Sequence, residues 1–137
     1  MTEFVPAQTS VPDWLMSYCR QLADVHYQRR LARMYVAMME GFLTIAPWKA
    51  NPPLPWYVPR THRVSEASAK RNADLGWAPM NMQLPVDLVD RIKTELEILN
   101  GSGIYERQLS MRSFLYTAVV WWCTHVYEYK GPGLLES

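Results

Sequence analysis

The sequence predicts a mainly α-helical protein whose C-terminal part is one short strand followed by two helices. Apolar residues recur at helical spacing through 13–46, five prolines crowd 47–59, and apolar and polar residues alternate in 79–84 before two further helical patterns. These patterns divide the chain into three predicted regions: a helical segment 1–46, a proline-rich strap with a basic arm 47–78, and a C-terminal domain 79–137.

The composition is that of a folded protein in a reducing compartment. Hydrophobic residues make up 49% of 137 residues, with six Trp and eight Tyr, which excludes disorder along the whole chain. Cys19 and Cys123 are the only cysteines, and we expect both thiols to be reduced. The longest apolar run, 114–123, is too short to cross a bilayer, so we predict a cytoplasmic protein with no membrane contact. The formal net charge of +1 means that any DNA binding must depend on local features.

The N-terminal part is predicted to be a loose leader, 1–12, followed by helix. Asp13 is a candidate N-cap, and the pattern that follows fits one long helix or two shorter ones. An arginine cluster, predicted to lie in the middle of this helix, has three open interpretations: a solvated face, a phosphate contact, or a group that acts on a partner ATPase. Its members are Arg29, Arg30 and Arg33.

Prolines prevent 47–59 from being a helix or a central strand, so this segment is predicted to be an extended strap. The next segment, 60–71, carries four basic residues and one Glu. It is either a soluble linker or an arm that contacts the DNA backbone. The basic residues are Arg60, Arg63, Lys70 and Arg71.

The segment "PMNMQLP" at 79–85 predicts a strand with two different faces. Its apolar side chains, Met80, Met82 and Leu84, point to one side. Asn81 and Gln83 point to the other, where they are either a solvated sheet face or base-reading groups, because both amides can bond adenine bidentately.

Two helices are predicted after the strand, and no internal repeat is evident. Pro85 fits a first helical turn, "NGSG" at 100–103 ends that helix, and Ser110 is the expected N-cap of the next one. The last helix is apolar on all sides, so its surplus face should pack on 13–46 or on the strap. That face consists of Val120, Trp121, Cys123 and Tyr127.

Residues 80–130 resemble the ribbon-helix-helix family of DNA-binding proteins, the Arc/MetJ type. The shared marks are the strand ending in "LP", the helix "VDLVDRIKTELEIL" and the serine-capped "LSMRSFLYTAVV". The resemblance implies a homodimer in which the strands of two chains pair as an antiparallel ribbon above the helices. The implied dimer core comprises Met80, Met82, Leu84, Phe114, Leu115, Val119 and Trp122.

The resemblance also implies where DNA phosphates bind. In the family, backbone amides at the start of the second helix hold a phosphate, which carries over here to the turn Ser110, Met111 and Arg112. Arg107 and Arg112 would add positive charge.

The implied function is sequence-specific binding of double-stranded DNA by a homodimer, with higher-order assembly on DNA open. Transcriptional repressor, plasmid partition protein that binds a centromere, and relaxosome accessory factor are the family roles that remain open. The alternative is a protein-interaction module that uses the same strand without DNA. A protein partner could bind through 1–46. We predict no enzyme activity, no cofactor and no metal, since His26, His62 and His125 lack metal-site spacing.

Overall fold

The computed structural model describes residues 3–60, 76–105 and 107–128. It is a mixed α/β structure in which a strand followed by two helices occurs twice. The first set is β1 (Phe4–Pro12), α1 (Asp13–His26) and α2 (Leu31–Ile45); a 3₁₀ turn follows at Pro47–Lys49. The second set is β2 (Trp77–Pro85), α3 (Val86–Gly101) and α4 (Met111–Trp121), which a π-helical turn continues over Trp122–Val126.

The first strand corrects the prediction that 1–12 is a loose leader. Residues 4–12 pair antiparallel with β2, with Gln8 opposite Asn81 at the centre and Phe4 opposite Pro85 at one end. An unpaired strand is unstable, so the sequence alone predicts a partner strand from a second chain. The structure supplies that partner within the chain, so the strand itself does not require dimerisation.

Residues 13–46 form two helices rather than one. The chain reverses between α1 and α2 with left-handed backbone at Gln28 (φ 53°) and Arg29 (φ 65°), and the Arg29 N–H donates to the Ala23 carbonyl at 2.9 Å. The arginine cluster therefore lies in this turn and at the start of α2, with Arg30 as the N-cap residue. Its predicted place in the middle of a helix was wrong, because no glycine or proline marks the turn.

The two strand-helix-helix sets share their pattern of buried residues, so the expectation of no internal repeat was wrong. Both strands end in a proline, and both first helices bury a leucine one turn later (Leu15 and Leu88). In the second helices, buried Met34, Met38 and Phe42 correspond to buried Phe114, Ala118 and Trp122. The repeat is not evident from the sequence because the two sets share the spacing of their apolar residues but few identical residues.

Each second helix packs against the strand of the other set, so the two sets enclose a common hydrophobic core: α4 lies on β1 and α2 lies on β2. The residues predicted to form a core between two chains are buried within this one chain. They are Met80, Met82, Leu84, Phe114, Leu115, Val119 and Trp122.

The surplus face of α4 and its π-helical extension packs against the first set, as predicted. The Sγ atoms of Cys19 and Cys123 lie 3.8 Å apart in the core as free thiols. The Tyr18 hydroxyl donates to the Tyr127 carbonyl at 3.0 Å, and the Phe42 and Trp121 rings are 5.5 Å apart. The hydrogen bond between the thiols and their burial raise the pKa of Cys123, which keeps the joint between the sets uncharged.

The strap is extended after its 3₁₀ turn and lies on α4. The Thr117 hydroxyl accepts from the Tyr57 N–H at 2.9 Å and donates to the Tyr57 carbonyl at 3.3 Å. The Trp48 and Trp56 rings, 5.4 Å apart, both pack on Phe114. Within the described ranges, no helix has the length and apolar character needed to cross a membrane.

We expect Val11→Asp to lower the free energy of unfolding by about 3 kcal/mol or more, because it buries a charge in the core. Val11 is fully buried on the inner face of β1. The matched control is Gln8→Ala on the exposed face of the same strand, which should change stability by less than about 0.5 kcal/mol. Urea denaturation measures both. Equal stability of the two variants would show that β1 is not part of the folded core.

Candidate nucleic-acid interface

The outer face of the ribbon presents three amide side chains. Asn81 and Gln83 are exposed and point away from the core, as the alternation predicts. Gln8, directly opposite Asn81, adds a third exposed amide that the sequence analysis missed. Its signal was the alternation within "FVPAQTSVP", which was not recognised because 1–12 was taken as a leader.

These amides are available to a ligand. Nothing in 3–60, 76–105 or 107–128 hydrogen-bonds the side chains of Gln8, Asn81 or Gln83. Pro6 and Pro79, also exposed, lie beside them on the same face. A carboxamide offers both a donor and an acceptor, which is the pairing that a base edge requires. The outer face can therefore accept hydrogen bonds from a planar polar partner and donate hydrogen bonds to it.

The N-terminus of α4 is held next to the ribbon. Ser110 is the N-cap residue, as predicted, and its Oγ accepts from the Ser113 N–H at 3.1 Å. The Thr9 hydroxyl donates to the Arg112 carbonyl at 2.8 Å, which ties the first turn of α4 to β1. The Met111 and Arg112 amides lie in this turn, where backbone N–H groups and the helix dipole favour an anion. Arg107 is exposed in the preceding loop.

The arginine cluster holds the corresponding position in the first set. Arg30 occupies the N-cap position of α2 but makes no capping hydrogen bond through its side chain, unlike Ser110 of α4, and Arg29 and Arg33 are exposed on either side of it. Arg33, in the first turn of α2, lines a groove together with Phe4 and Pro85 at one end of the ribbon, and the first turn of α4 is bonded to Thr9 of β1, so the start of each second helix lies near the ribbon. A solvated face, a phosphate contact and an action on a partner ATPase all remain open interpretations of this cluster.

The basic arm starts at the end of the ribbon formed by Pro12 and Trp77. The Ser10 hydroxyl donates to the Arg60 carbonyl at 2.6 Å, and the Arg60 guanidinium lies 5.8 Å from the centre of the Trp77 ring. Arg63, Lys70 and Arg71 lie outside the described residues. Arg60 thus brings a positive charge to one end of the amide face, where it stacks on an aromatic ring.

Among the described residues, no cluster of three or more His, Cys, Asp or Glu side chains is arranged to hold a metal ion. Comparison of the chain with protein-family models, with curated proteins and with solved structures gave no match. The resemblance to the ribbon-helix-helix family therefore stays a prediction that rests on the quoted residues.

Thr9→Val should lower the free energy of unfolding by about 1 kcal/mol or more, because it leaves the Arg112 carbonyl without its buried donor. Thr9 is fully buried, and valine has nearly the same shape. Thr94→Val is the control, since Thr94 donates to the Asp90 carbonyl on an exposed helix surface. Chemical denaturation of the two variants compares how much the Thr9 and Thr94 hydrogen bonds contribute to the free energy of unfolding. If Thr9→Val changes the free energy of unfolding as little as Thr94→Val does, the Thr9 hydroxyl does not hold α4 against the ribbon.

Proposed function

We propose that this protein binds double-stranded DNA by placing its two-stranded ribbon in the major groove. The observation that supports this most is the outer face itself: three exposed amides on an antiparallel ribbon, with the start of a helix near it on both sides. A two-stranded ribbon fits the width of the major groove, and Asn and Gln side chains can each bond adenine bidentately. Gln8, Asn81 and Gln83 are the proposed base-reading residues.

The proposal places both halves of a ribbon-helix-helix unit in a single chain. In the family that 80–130 resemble, two chains each contribute a strand; here β1 and β2 are both contributed by one chain. One chain is thus sufficient to form the reading surface. Association of two chains remains a prediction, and in this proposal it concerns neighbouring sites on DNA.

Positive charge near the ribbon supports phosphate contacts despite the low net charge. The formal net charge is only +1, but arginines are concentrated at the starts of α2 and α4. Helix N-termini bind phosphate through backbone N–H groups, and each neutralised phosphate contributes to affinity that falls with salt. The proposed phosphate contacts are Arg29, Arg30, Arg33, Arg107, Ser110, Met111, Arg112 and, from the sequence of the arm, Arg60, Arg63, Lys70 and Arg71.

The two halves of the ribbon differ, so the proposed target is not a palindrome. Gln8 faces Asn81 across the centre, and Gln83 on β2 corresponds to Ser10 on β1. Ser10 is buried and bonded to Arg60, which leaves the β1 half without a second exposed amide. A dimer of identical chains reads the same bases twice, whereas this surface presents a different set of groups to each half-site.

The roles that this proposal serves are those of the family: transcriptional repressor, partition protein that binds a plasmid centromere, or relaxosome accessory factor. A protein-interaction module without DNA is the second candidate. The observation that favours it is Phe4, a large apolar side chain that is 52% exposed at one end of the ribbon.

The triple variant Gln8→Ala, Asn81→Ala, Gln83→Ala should lose preference for one DNA sequence while remaining folded. All three side chains are exposed, and each good bidentate pair contributes roughly 1–3 kcal/mol against a wrong base. Weak binding to every sequence should survive, because phosphate contacts supply it. Selection from random duplex DNA, followed by competition binding, measures the preference. A triple variant that discriminates its site as well as the wild type would exclude base reading by these amides.

Arg30→Ala with Arg33→Ala should weaken binding to all DNA sequences alike and reduce the dependence of affinity on salt. These arginines are proposed to contact phosphates, which carry no sequence information. The matched control is Arg91→Ala on the exposed surface of α3, which should leave the salt dependence unchanged. Fluorescence anisotropy at several salt concentrations gives both slopes. A loss confined to the selected sequence would contradict the phosphate assignment.

One chain should bind one DNA site, and the selected site should lack two-fold symmetry. The reason is that a single chain forms the whole ribbon with unequal halves. Mass measurement of the complex on a short duplex gives the stoichiometry, and the selected sequences give the symmetry. Two chains on a palindrome would show that the ribbon which reads DNA forms between chains.

A further inference from the structure

An apolar groove lies between α2 and the end of the ribbon where Phe4 faces Pro85. Its volume is about 520 Å³. Phe4, Val36 and Ala37 contribute apolar surface, while Arg33 and Glu40 are the charged residues that line it. The remaining lining residues are Tyr27, Ala32 and Pro85.

The repeat places an equivalent surface on α4, and there the chain covers it with its own strap. Trp77 corresponds to Phe4, Tyr116 to Val36 and Thr117 to Ala37. Tyr57 of the strap hydrogen-bonds Thr117 through both its N–H and its carbonyl, and its ring lies 6.4 Å from that of Tyr116. Arg60, at the end of the strap, lies over Trp77. The covered surface on α4 thus holds an extended segment of the same chain that carries proline, aromatic and basic residues.

At the centre of the groove on α2, Val36 and Ala37 are smaller than their counterparts Tyr116 and Thr117. Ala37 also lacks the hydroxyl with which Thr117 holds the strap. Val36, Ala37 and Phe4 remain partly exposed to solvent. The strap belongs to the same described range, 3–60, and leaves these side chains exposed. Such an apolar depression gains stability when a partner removes it from water.

Glu40 provides a negative charge in the groove, seven residues along α2 from the positively charged Arg33, and favours a basic group of the ligand at its own end of the groove. Glu40 is exposed at the position where α4 has the apolar Val120. The Phe4 ring corresponds to Trp77, which already holds a guanidinium. A carboxylate and an aromatic face near each other are the features that attract an arginine or lysine side chain.

We propose that this groove binds an extended segment of a partner protein that carries proline or aromatic residues and a basic residue, as the strap does on α4. The site lies on the first strand-helix-helix set, where a protein partner of 1–46 was predicted. The groove shares Arg33 with the proposed phosphate contacts, whereas Glu40, Val36 and Ala37 have no proposed role in DNA binding, so a change at Glu40 tests the groove separately.

The test uses a fluorescently labelled synthetic peptide of residues 52–60, PPLPWYVPR, and the full-length protein. Fluorescence anisotropy should show saturable binding. Glu40→Lys in the protein should weaken it at least about tenfold, because a cation replaces the carboxylate that faces the basic group. Glu97→Lys, an exposed residue of α3, is the matched control and should not change binding. A peptide with Arg60→Glu should bind the wild type at least about tenfold more weakly.

Four outcomes would overturn the proposal. The first is the absence of saturable binding to the wild type. The second is binding that Glu40→Lys leaves unchanged, which would place the peptide elsewhere, including at the position of the strap on α4. The third is binding that arises only when residues 129–137 are removed, which would make the chain's own C-terminal residues the occupant. The fourth is self-association of the protein that Glu40→Lys abolishes, which would make a second copy the occupant.

Discussion

Pairing between β1 and β2 is the interaction on which the rest of the structure depends. Residues 4–12 and 77–85 satisfy each other's backbone groups in one antiparallel ribbon centred on Gln8 and Asn81. An isolated two-stranded ribbon is marginal in water, so its inner face must be covered. The helices that follow each strand leave from opposite ends of the ribbon and cover that face together. The buried core, the exposed amides and the two helix N-termini all take their positions from this register.

The two strand-helix-helix sets are alike inside and different outside. Buried positions correspond from one set to the other, because both must cover the same ribbon. Exposed positions are free to differ, since no symmetry operation forces one residue to serve two places as it does in a homodimer. Arginines surround the start of α2, whereas a serine caps α4. The strap covers the groove on α4, whereas the corresponding groove on α2 is open. A single chain that contains both halves can therefore carry different exposed residues on its two sides.

Tyrosine hydroxyls and thiols meet where the two sets are joined, and burial raises the pKa of several of them. Burial is the main cause that raises the pKa of Tyr27 to about 12, and a hydrogen bond with Tyr127 adds to the shift. Tyr27 and Tyr127 come from the two different sets, and the Cys19 and Cys123 thiols meet in the same joint. Neutral tyrosine and thiol groups avoid the large cost of burying a charge, so the sets can pack closely without ion pairs at this contact.

The features that depend on local spacing could be predicted from the residue pattern alone. Apolar periodicity predicted α3 and α4, and a serine directly before the second pattern indicated the N-cap at Ser110. Alternation of apolar and polar residues indicated that Asn81 and Gln83 face away from the core. Buried residues of the second set were identified for the same reason, although they were assigned to a core between two chains.

The strand that pairs with β2 could be identified only in the folded chain. That choice joins residues far apart in the chain, and hydrogen bonds between backbones leave no mark on residue identity. The sequence patterns of β1 and of the turn between α1 and α2 were also weak. Thr9 and Ser10 are polar but buried, since hydrogen bonds to Arg112 and Arg60 compensate for their burial, and this blurred the alternation that would have shown β1. The turn at Gln28 and Arg29 adopts left-handed backbone without a glycine, because packing of α2 against β2 stabilises a conformation that local sequence does not favour.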